Sequence, residues 1–352
     1  MGVHINLNGV KKINDIFTNV NGEKKNVVSV WVNKDGVATK IYTKDSLQRY
    51  ILATSKGIFW SEDKINWNKS DCSASIKDVM FNNNVFVAVS YTKIYYSTNG
   101  KNWLESSLPD SNANGLFQLA FGKNVYVVIS SNNKYHYISR DFGVTWESIS
   151  SVAAYSNMKG VYFVNDKFYL FSISMNSITA FTSSDGINWT KNPSDSGPNN
   201  PSFVSLLNNS ANGTFFACVE TGTTGKATIY YSYDGINWSN KNLTTVYESG
   251  IKVIVFKDVI YYIASKYVFY STDLESENWD YVSNLSFDGV NYRPSQMFND
   301  AYNVPELDGN LIVMFSEENY ESQDMFNWTK HEIFDYETYG RINNVTSKGG
   351  ET

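Results

Sequence analysis

The sequence is poor in cysteine, proline and charge, and each shortage excludes a class of protein. Its two cysteines, Cys72 and Cys218, are too few for a disulfide scaffold and are interpreted as unpaired. Six prolines exclude a proline-rich stalk. No apolar run approaches the roughly 18 residues of a transmembrane helix, so no membrane insertion is expected. Met1–Asn6 lacks signal-peptide and myristoylation features, so we expect a soluble protein that does not use the ordinary secretion route.

Charge and aromatic content limit the remaining classes. Acidic residues number 35 and basic residues 29, a net charge of -6 that argues against a nucleic-acid binder, which needs a basic surface. Aromatic residues make up 16% of the chain and charged residues only 18%. Such a chain can bury a core, and we expect it to be folded rather than disordered.

A short motif that begins with serine and ends with tryptophan occurs seven times. The copies are Ser61–Trp67, Ser97–Trp103, Ser139–Trp146, Ser183–Trp189, Ser232–Trp238, Ser271–Trp279 and Ser322–Trp328. Successive tryptophans of the motif lie 36 to 49 residues apart. A four-stranded propeller blade takes roughly 40–50 residues, so the spacing predicts one blade per copy.

The residues between the copies fit four strands per blade. An apolar run such as Val125–Ile129 is typical of a strand buried on both faces. Another run, such as Phe117–Phe121, precedes it across a polar turn, and a third precedes the motif itself. We therefore predict an all-β fold, a seven-bladed β-propeller of four-stranded antiparallel blades.

The seven segments resemble the Asp-box (BNR) repeat, Ser-x-Asp-x-Gly-x-Thr-Trp, from about Tyr50 to Trp328. Asn replaces Thr in most copies, Asn99 replaces Asp in the second, and copies one, six and seven lack the Gly. The resemblance implies a propeller whose boxes lie away from the ligand face. The box itself is predicted to be structural, because its Asp can accept turn amides and its Trp can pack between sheets. The predicted structural residues are Asp63, Trp67, Asn99, Trp103, Asp141, Trp146, Asp185, Trp189, Asp234, Trp238, Asp273, Trp279, Asp324 and Trp328.

The first blade lacks an obvious innermost strand, and the C-terminus supplies one. Residues 341–345, followed by the polar stretch 346–350, resemble the innermost strands and turns of the other blades. We predict that this segment pairs with Tyr50–Thr54 and closes the ring, which removes the open sheet edges. The propeller is then expected to occupy 45–352.

Residues 1–44 are predicted to form a small N-terminal β arm. They carry seven lysines and three acids, a local charge of +4 against -10 for the remainder. Hairpin turns are indicated at Asn21-Gly22 and Asp35-Gly36. The stretches 19–25 and 30–40 look like short modules of tail and fibre proteins in phages of Gram-positive bacteria. The other interpretation of the arm is a solvated tail.

The sequence offers little chemistry, and we predict no catalytic residue, metal site or cofactor. Asp-box propellers include sialidases. A resemblance to these enzymes would imply three arginines that converge on a carboxylate. Of the four arginines here, Arg49 and Arg140 are expected on the box side, so an arginine triad is not expected. Other glycoside hydrolases need only two carboxylates across a cleft. Sequence alone leaves that possibility open.

The loops that join successive blades are the predicted binding face. Aromatic rings beside amide and guanidinium donors suit sugar recognition. The predicted ligand-binding residues are Tyr292, Arg293, Tyr336, Tyr339 and Arg341, expected to cluster around blades 7 and 1. An ordinary polar loop is the alternative for each of them.

Together these features predict a non-catalytic component of a phage or phage-tail-like particle. Residues 1–44 are expected to bind other virion or tail proteins, and the propeller to bind a host-surface glycan or to decorate the particle. Nucleic acid is not an expected partner. The alternatives are a secreted or surface glycoside hydrolase or lectin of the Asp-box type, and a cellular scaffold.

Overall fold

The computed structural model describes the strands of residues 17–43 and most of the chain from Arg49 to Lys348. The described ranges are 17–20, 23–26, 29–34, 37–43, 49–109, 113–131, 136–149, 152, 158–174, 177–193, 204–219, 226–247, 250–294, 305–307, 309–315, 318–330 and 335–348. The chain divides into two compact units, Met1–Gln48 with Gly349–Thr352, and Arg49–Lys348.

The first unit contains two antiparallel hairpins. Strands β1 (Phe17–Val20) and β2 (Glu23–Asn26) form one, and β3 (Ser29–Lys34) and β4 (Val37–Thr43) form the other. Val20 pairs with Glu23, and Lys34 pairs with Val37. The hairpins predicted at Asn21-Gly22 and Asp35-Gly36 are therefore present, although the turn residues themselves lie outside the described ranges.

The second unit is the predicted seven-bladed propeller. In blades 1 to 4 the strands, from innermost to outermost, have the following bounds. Blade 1 contains β34 (Ile342–Lys348), β5 (Arg49–Thr54), β6 (Gly57–Ser61) and β7 (Asn68–Lys69). Blade 2 contains β8 (Ile76–Asn82), β9 (Val85–Ser90), β10 (Ile94–Ser97) and β11 (Leu104–Glu105). Blade 3 contains β12 (Leu116–Gly122), β13 (Val125–Ser130), β14 (Tyr137–Ser139) and β15 (Glu147–Ser148). Blade 4 contains β16 (Met158–Val164), β17 (Lys167–Ser174), β18 (Ser177–Ser183) and β19 (Thr190–Pro193).

Blades 5 to 7 follow the same order. Blade 5 contains β20 (Ser205–Asn209), β21 (Gly213–Val219), β22 (Lys226–Ser232) and β23 (Ser239–Tyr247). Blade 6 contains β24 (Gly250–Phe256), β25 (Val259–Ala264), β26 (Val268–Ser271) and β27 (Asp280–Val282). Blade 7 contains β30 (Glu306–Leu307), β31 (Asn310–Phe315), β32 (Glu318–Ser322) and β33 (Asn327–Lys330).

The C-terminal strand closes the ring, as predicted. Strand β34 pairs antiparallel with β5, with Val345 opposite Leu52 and Lys348 opposite Arg49. A four-residue helix, α1 (Tyr336–Tyr339), precedes it. Asn343 Nδ2 also donates to the carbonyl of Ile76 in blade 2 at 2.6 Å. The first and last parts of the propeller are thus joined by a sheet and by a contact to the next blade.

Blade 7 carries a hairpin that the sequence analysis did not predict. Strands β28 (Leu285–Phe287) and β29 (Val290–Tyr292) pair antiparallel with each other. Strand β28 also pairs parallel with β33, so the sheet has six strands and β29 is its outer edge. The Phe287 ring stacks on Trp328 with centroids 5.6 Å apart, which fixes the hairpin on the blade.

The core consists of seven apolar clusters, one at each boundary between neighbouring blades. The cluster between blades 1 and 2, for example, contains Ile51 and Ala53 from one blade and Phe86 from the next. Both faces of each sheet are covered in this way, which accounts for the continuous apolar runs of the second strands. None of the helices among the described residues has the length and apolar character of a membrane span.

Candidate functional site

The repeated Ser-x-Asp turns are held by hydrogen bonds within the turn. In the fourth copy, Asp185 Oδ1 accepts the backbone N–H groups of Ile187 and Asn188, both at 2.8 Å. Its Oδ2 accepts from the Asn188 side-chain amide at 2.8 Å, and Ser183 Oγ donates to Oδ1 at 2.8 Å. These bonds hold the pKa of Asp185 well below its usual range, although partial burial opposes the shift. Both oxygens of the Asp185 carboxylate are thus engaged in hydrogen bonds within the turn, which indicates a structural role and not ligand binding.

The copies that depart from the motif keep the acceptor and the backbone conformation of the turn with different residues. Asn99 Oδ1 accepts the N–H groups of Lys101 and Asn102 at 2.8 and 2.9 Å, so an amide oxygen replaces the carboxylate. Lys64 and Met325, which stand where other copies have Gly, adopt φ angles of 65° and 73°. The left-handed backbone of the turn is therefore kept even where the residue disfavours it.

The tryptophans of the motif pack at the blade boundaries. Trp103 lies in the cluster between blades 1 and 2, Trp146 between blades 2 and 3, and Trp238 between blades 4 and 5. In five copies the indole N–H donates to a carbonyl three residues earlier; Trp146, for instance, bonds Gly143 at 3.1 Å. In the sixth copy, which carries an insertion, the buried Nε1 of Trp279 has no hydrogen-bond partner. These positions belong to the architecture of the fold.

The innermost strands surround a cavity of about 830 Å³, the central channel of the ring. Its lining comes from β8, β12, β16, β20, β24 and β34. Because strands alternate in direction, the Ser-x-Asp turns and the turns that follow the innermost strands lie at one end of the channel. The first residues of the innermost strands lie at the other end, which is called the channel mouth below.

Basic side chains from alternate blades lie at the channel mouth. Lys77, Lys159 and Lys252 are near the beginnings of β8, β16 and β24, and all three are half-buried and line the cavity. Arg341, immediately before β34, lies close enough to Lys77 to lower the pKa of its ammonium group. Burial lowers the pKa of all three lysines, that of Lys252 to about 8. Three blades thus contribute a cation to one partly desolvated opening.

Asp78 is the one carboxylate among the described residues that line the cavity, and it is engaged in bonds between blades. Its Oδ2 accepts the Leu119 N–H of blade 3 at 2.9 Å, and its Oδ1 accepts the Val79 N–H at 2.8 Å. Asn344 of the closing strand donates to Oδ1 as well. Burial raises the pKa of Asp78 to about 6, although these bonds oppose the rise.

The predicted ligand-binding residues belong to two segments of the propeller. Tyr292 and the exposed Arg293 are on or beside β29, at the outer edge of blade 7. Arg341 precedes β34, an innermost strand, and Tyr339 is buried with its ring 4.6 Å from that of Phe59. The side chain of Tyr336 is outside the described part of the chain. Whether any of them contacts a ligand, and whether they share one site around blades 7 and 1, stays a prediction.

Sequence reasoning missed the three channel lysines, which lie far apart in the chain. The available signal was a lysine at the second or third position of three innermost strands. The other two arginines have local roles: Arg140 contacts Glu147 at 2.9 Å, and the buried Arg49 lies over the Trp60 ring at 5.0 Å.

Other reactive side chains serve the fold. His136 is fully buried, and its Nδ1 accepts the Ser130 N–H at 3.2 Å. Both thiols, Cys72 and Cys218, are buried, and neither is in a disulfide. Within the described ranges, no three His, Cys, Asp or Glu side chains are grouped so that they could hold a metal ion.

Neither a protein-family model nor a curated protein matches the sequence. Among solved structures, the chain is similar to YCF48 bound to a D1 peptide, with 14% identity, 82% of this chain and 84% of that chain covered, and a TM-score of 0.50. It is also similar to YCF48 from Cyanidioschyzon merolae, with 13% identity, 92% and 95% covered, and a TM-score of 0.50. A GH74 xyloglucanase from Xanthomonas campestris matches with 12% identity, 85% and 53% covered, and a TM-score of 0.54. At such identities the likeness establishes the β-propeller fold alone.

Proposed function

We propose that this protein is a non-catalytic component of a phage or phage-tail-like particle. The N-terminal arm binds other particle proteins, and the propeller is displayed for host-surface binding or decoration. The division of the chain into a small hairpin unit and a closed propeller carries the proposal. A propeller that closes with its own C-terminal strand does not need the arm to complete a blade.

The charge and sequence of the arm support separate roles for the arm and the propeller. Residues 1–44 have a net charge of +4, whereas the remainder has -10. The arm also contains the stretches that look like modules of phage tail and fibre proteins. An arm of opposite charge to its own propeller favours contact with an acidic neighbour over solvation as a free tail.

Particle association is the direct test. Cells producing the particle would express the full chain or a variant that lacks residues 1–44, each with the same C-terminal label, and particles would be separated on a density gradient. We expect the full chain in the particle fraction and the shortened chain in the soluble fraction. Retention of the shortened chain on particles, or absence of both chains from them, would contradict the proposal.

The described residues of the channel include no pair of carboxylates, which supports a non-catalytic role. A glycoside hydrolase needs two carboxyl groups about 5–10 Å apart. The described residues lining the cavity provide one, Asp78, and its oxygens accept bonds from Val79, Leu119 and Asn344. The likeness to a xyloglucanase does not supply the missing group.

The glycan-active alternative makes a different prediction. A lectin or hydrolase of this fold would bind or turn over a defined glycan on an array, and Arg293→Ala or Arg341→Ala would remove that signal. The non-catalytic proposal expects no turnover by the full chain. Hydrolysis that is lost in either arginine variant would favour the alternative.

A further inference from the structure

The second copy of the motif contains the dipeptide Asn99-Gly100, which is prone to deamidation. In a flexible chain the Gly100 amide nitrogen loses its proton to a base and attacks Cγ of Asn99, since glycine has no side chain to hinder the approach. The bond from Cγ to Nδ2 breaks, ammonia leaves with a proton from water, and a five-membered imide remains. Water then opens the imide at either carbonyl, which gives aspartate or isoaspartate at position 99.

Hydrogen bonds of the folded turn oppose this reaction. The Gly100 N–H, whose nitrogen is the nucleophile, donates to Ser97 Oγ at 2.8 Å. On the other side of the reaction, Asn99 Oδ1 accepts the N–H groups of Lys101 and Asn102 at 2.8 and 2.9 Å. The nucleophile is thus kept protonated, and the side chain that it would attack is held in place.

Packing against the first blade keeps a base away from the Gly100 amide. Gly100 is buried, and Ile51 Cδ1 lies 2.6 Å from the position that a Cβ of residue 100 would occupy. Ser97, the acceptor, is 3% exposed. A backbone N–H that is both buried and hydrogen-bonded loses its proton only when the local structure opens. We therefore expect Asn99 to react only from the opened turn.

The same serine contact occurs in copies that have aspartate before the glycine. The Gly186 N–H donates to Ser183 Oγ at 2.9 Å, and the Gly235 N–H donates to Ser232 Oγ at 2.9 Å. An aspartate before glycine forms the same imide with loss of water instead of ammonia. The serine of the motif therefore engages the reactive nitrogen in these copies as well.

We propose that Ser97 protects Asn99 from deamidation, so that position 99 is modified only in chains whose second blade has opened. The two products differ in their effect on the fold. Aspartate at position 99 offers the acceptor that Asp185 supplies in the fourth copy. Isoaspartate adds a methylene group to the main chain, so the turn does not re-form. This modification site goes beyond the proposed particle role and does not depend on it.

Peptide mapping by mass spectrometry on the full chain tests the protection. Wild-type protein is incubated at pH 8, either in buffer or in enough urea to unfold it, and the peptide that contains Asn99 is followed over time. Asn99 should deamidate at least about tenfold more slowly in the folded protein, because only the opened turn reacts. Equal rates in the two conditions would disprove the protection, and this comparison needs no variant.

The role of the serine is tested by two matched substitutions. Ser97→Ala should raise the rate at Asn99 in the folded protein about fivefold, the factor expected for the loss of one hydrogen bond. Ser232→Ala removes the equivalent bond in blade 5, so it should leave the rate at Asn99 unchanged. Circular dichroism before incubation checks that both variants are folded. Equal acceleration by both variants, or none by Ser97→Ala, would overturn the role of Ser97.

Refolding distinguishes the two products. Wild-type chains that were aged in urea are refolded, and the folded and aggregated fractions are mapped separately, with isoaspartyl and aspartyl peptides resolved by chromatography. We expect aspartate at position 99 in the folded fraction and isoaspartate enriched in the aggregate. Asn99→Asp should refold as completely as the wild type. Equal proportions of isoaspartate in both fractions would overturn the proposed effect of this product on the turn.

Discussion

At the scale of single residues, the Ser-x-Asp turn depends on one acceptor oxygen. Asp185 Oδ1 accepts hydrogen bonds from two backbone N–H groups and a serine hydroxyl. In the second copy, the amide oxygen of Asn99 accepts from the equivalent two backbone N–H groups. The sequence motif allowed this role to be predicted, because short polar side chains form such turns locally. The substitution of Asn for Asp in the second copy indicates that the acceptor matters more than the charge.

Substitution of Asp185 separates these two contributions. Asp185→Ala should lower the free energy of unfolding by about 1–3 kcal/mol, because turn amides lose their acceptor. Asp185→Asn should cost clearly less, as the geometry at Asn99 indicates. Urea denaturation measures both. Equal losses would mean that the charge, and not the acceptor, stabilises the turn.

Acid should weaken the turns together. Turn hydrogen bonds depress the pKa of Asp63, Asp141, Asp185, Asp234 and Asp324. A depressed folded-state pKa gives stability that is present above the unfolded pKa near 4 and is lost as pH falls below it. Thermal midpoints measured from pH 5 down to pH 2 should therefore fall, and the fall should be smaller in Asp185→Asn. A midpoint that stays constant over this range would contradict the expectation.

Gly100 combines a left-handed backbone with a close contact. Its φ is +71°, and an added Cβ would lie 2.6 Å from Ile51 Cδ1 of blade 1. Gly100→Ala should cost more than the roughly 1–2 kcal/mol of left-handed strain, because the buried Ile51 side chain of the neighbouring blade must also shift. Gly213→Ala is the control, since Gly213 has φ +66° and no atom within 4 Å of its added Cβ. Equal losses in urea denaturation would show that packing against blade 1 adds nothing.

At the scale of elements, side chains of one innermost strand bond the backbone of the next. Asn344 Nδ2 donates to the Val79 carbonyl at 3.3 Å, and Asp78 Oδ2 accepts the Leu119 N–H. Gln118 accepts the Val161 N–H at 3.1 Å. Four blades are linked in this way around the channel. The sequence predicted the strands, since their apolar runs and turns are local signals. It did not predict these links, which require the ring to bring distant strands together.

The pH dependence of Asp78 is opposite to that of the turn aspartates. Its folded pKa of about 6 is above the ordinary value of 3.8, so its contribution is fully present below pH 4 and is lost as pH rises through 6. Between pH 4 and pH 8, the wild type should lose roughly 2–3 kcal/mol of unfolding free energy relative to Asp78→Asn, whose side chain does not titrate. Urea denaturation at both pH values measures this difference. Parallel profiles for the two proteins would show that Asp78 ionises without a cost to folding.

The additional hairpin of blade 7 has a turn that the sequence signals locally and a strand pairing that it does not. Asp288-Gly289, between Phe287 and Val290, is a strong hairpin signal, and it does form the β28–β29 turn. Its parallel pairing with β33 depends on residues some forty positions later, which no local pattern specifies. Tyr292 and Arg293 are consequently at an outer edge, away from Arg341.

At the scale of the whole molecule, the period of the motif predicted seven blades. The likeness of residues 341–345 to the other innermost strands predicted closure by the C-terminus. The candidate site was less predictable. Lys77, Lys159 and Lys252 line one cavity only because the innermost strands of blades 2, 4 and 6 all face the channel. From sequence alone, a lysine near the start of a strand is interpreted as a solvent-exposed residue at the strand end. Only the ring geometry shows that these lysines line the channel.

The two units of the chain should unfold separately. A variant that lacks residues 1–44 should keep the thermal midpoint of the propeller within a few degrees, since Arg49–Lys348 form a compact unit of their own and β34 completes the first blade. Circular dichroism and differential scanning calorimetry check this. Loss of the cooperative transition would mean that the arm stabilises the ring.

Closure by β34 also has a consequence for biosynthesis. Strand β34, the inner partner of β5, is the last strand of the propeller to be synthesised, while translation proceeds at about 5–20 residues per second. Throughout elongation the nascent chain therefore carries one unpaired backbone edge on its first blade. Chains that end before β34 would keep that edge unpaired, and they should be prone to aggregate through it.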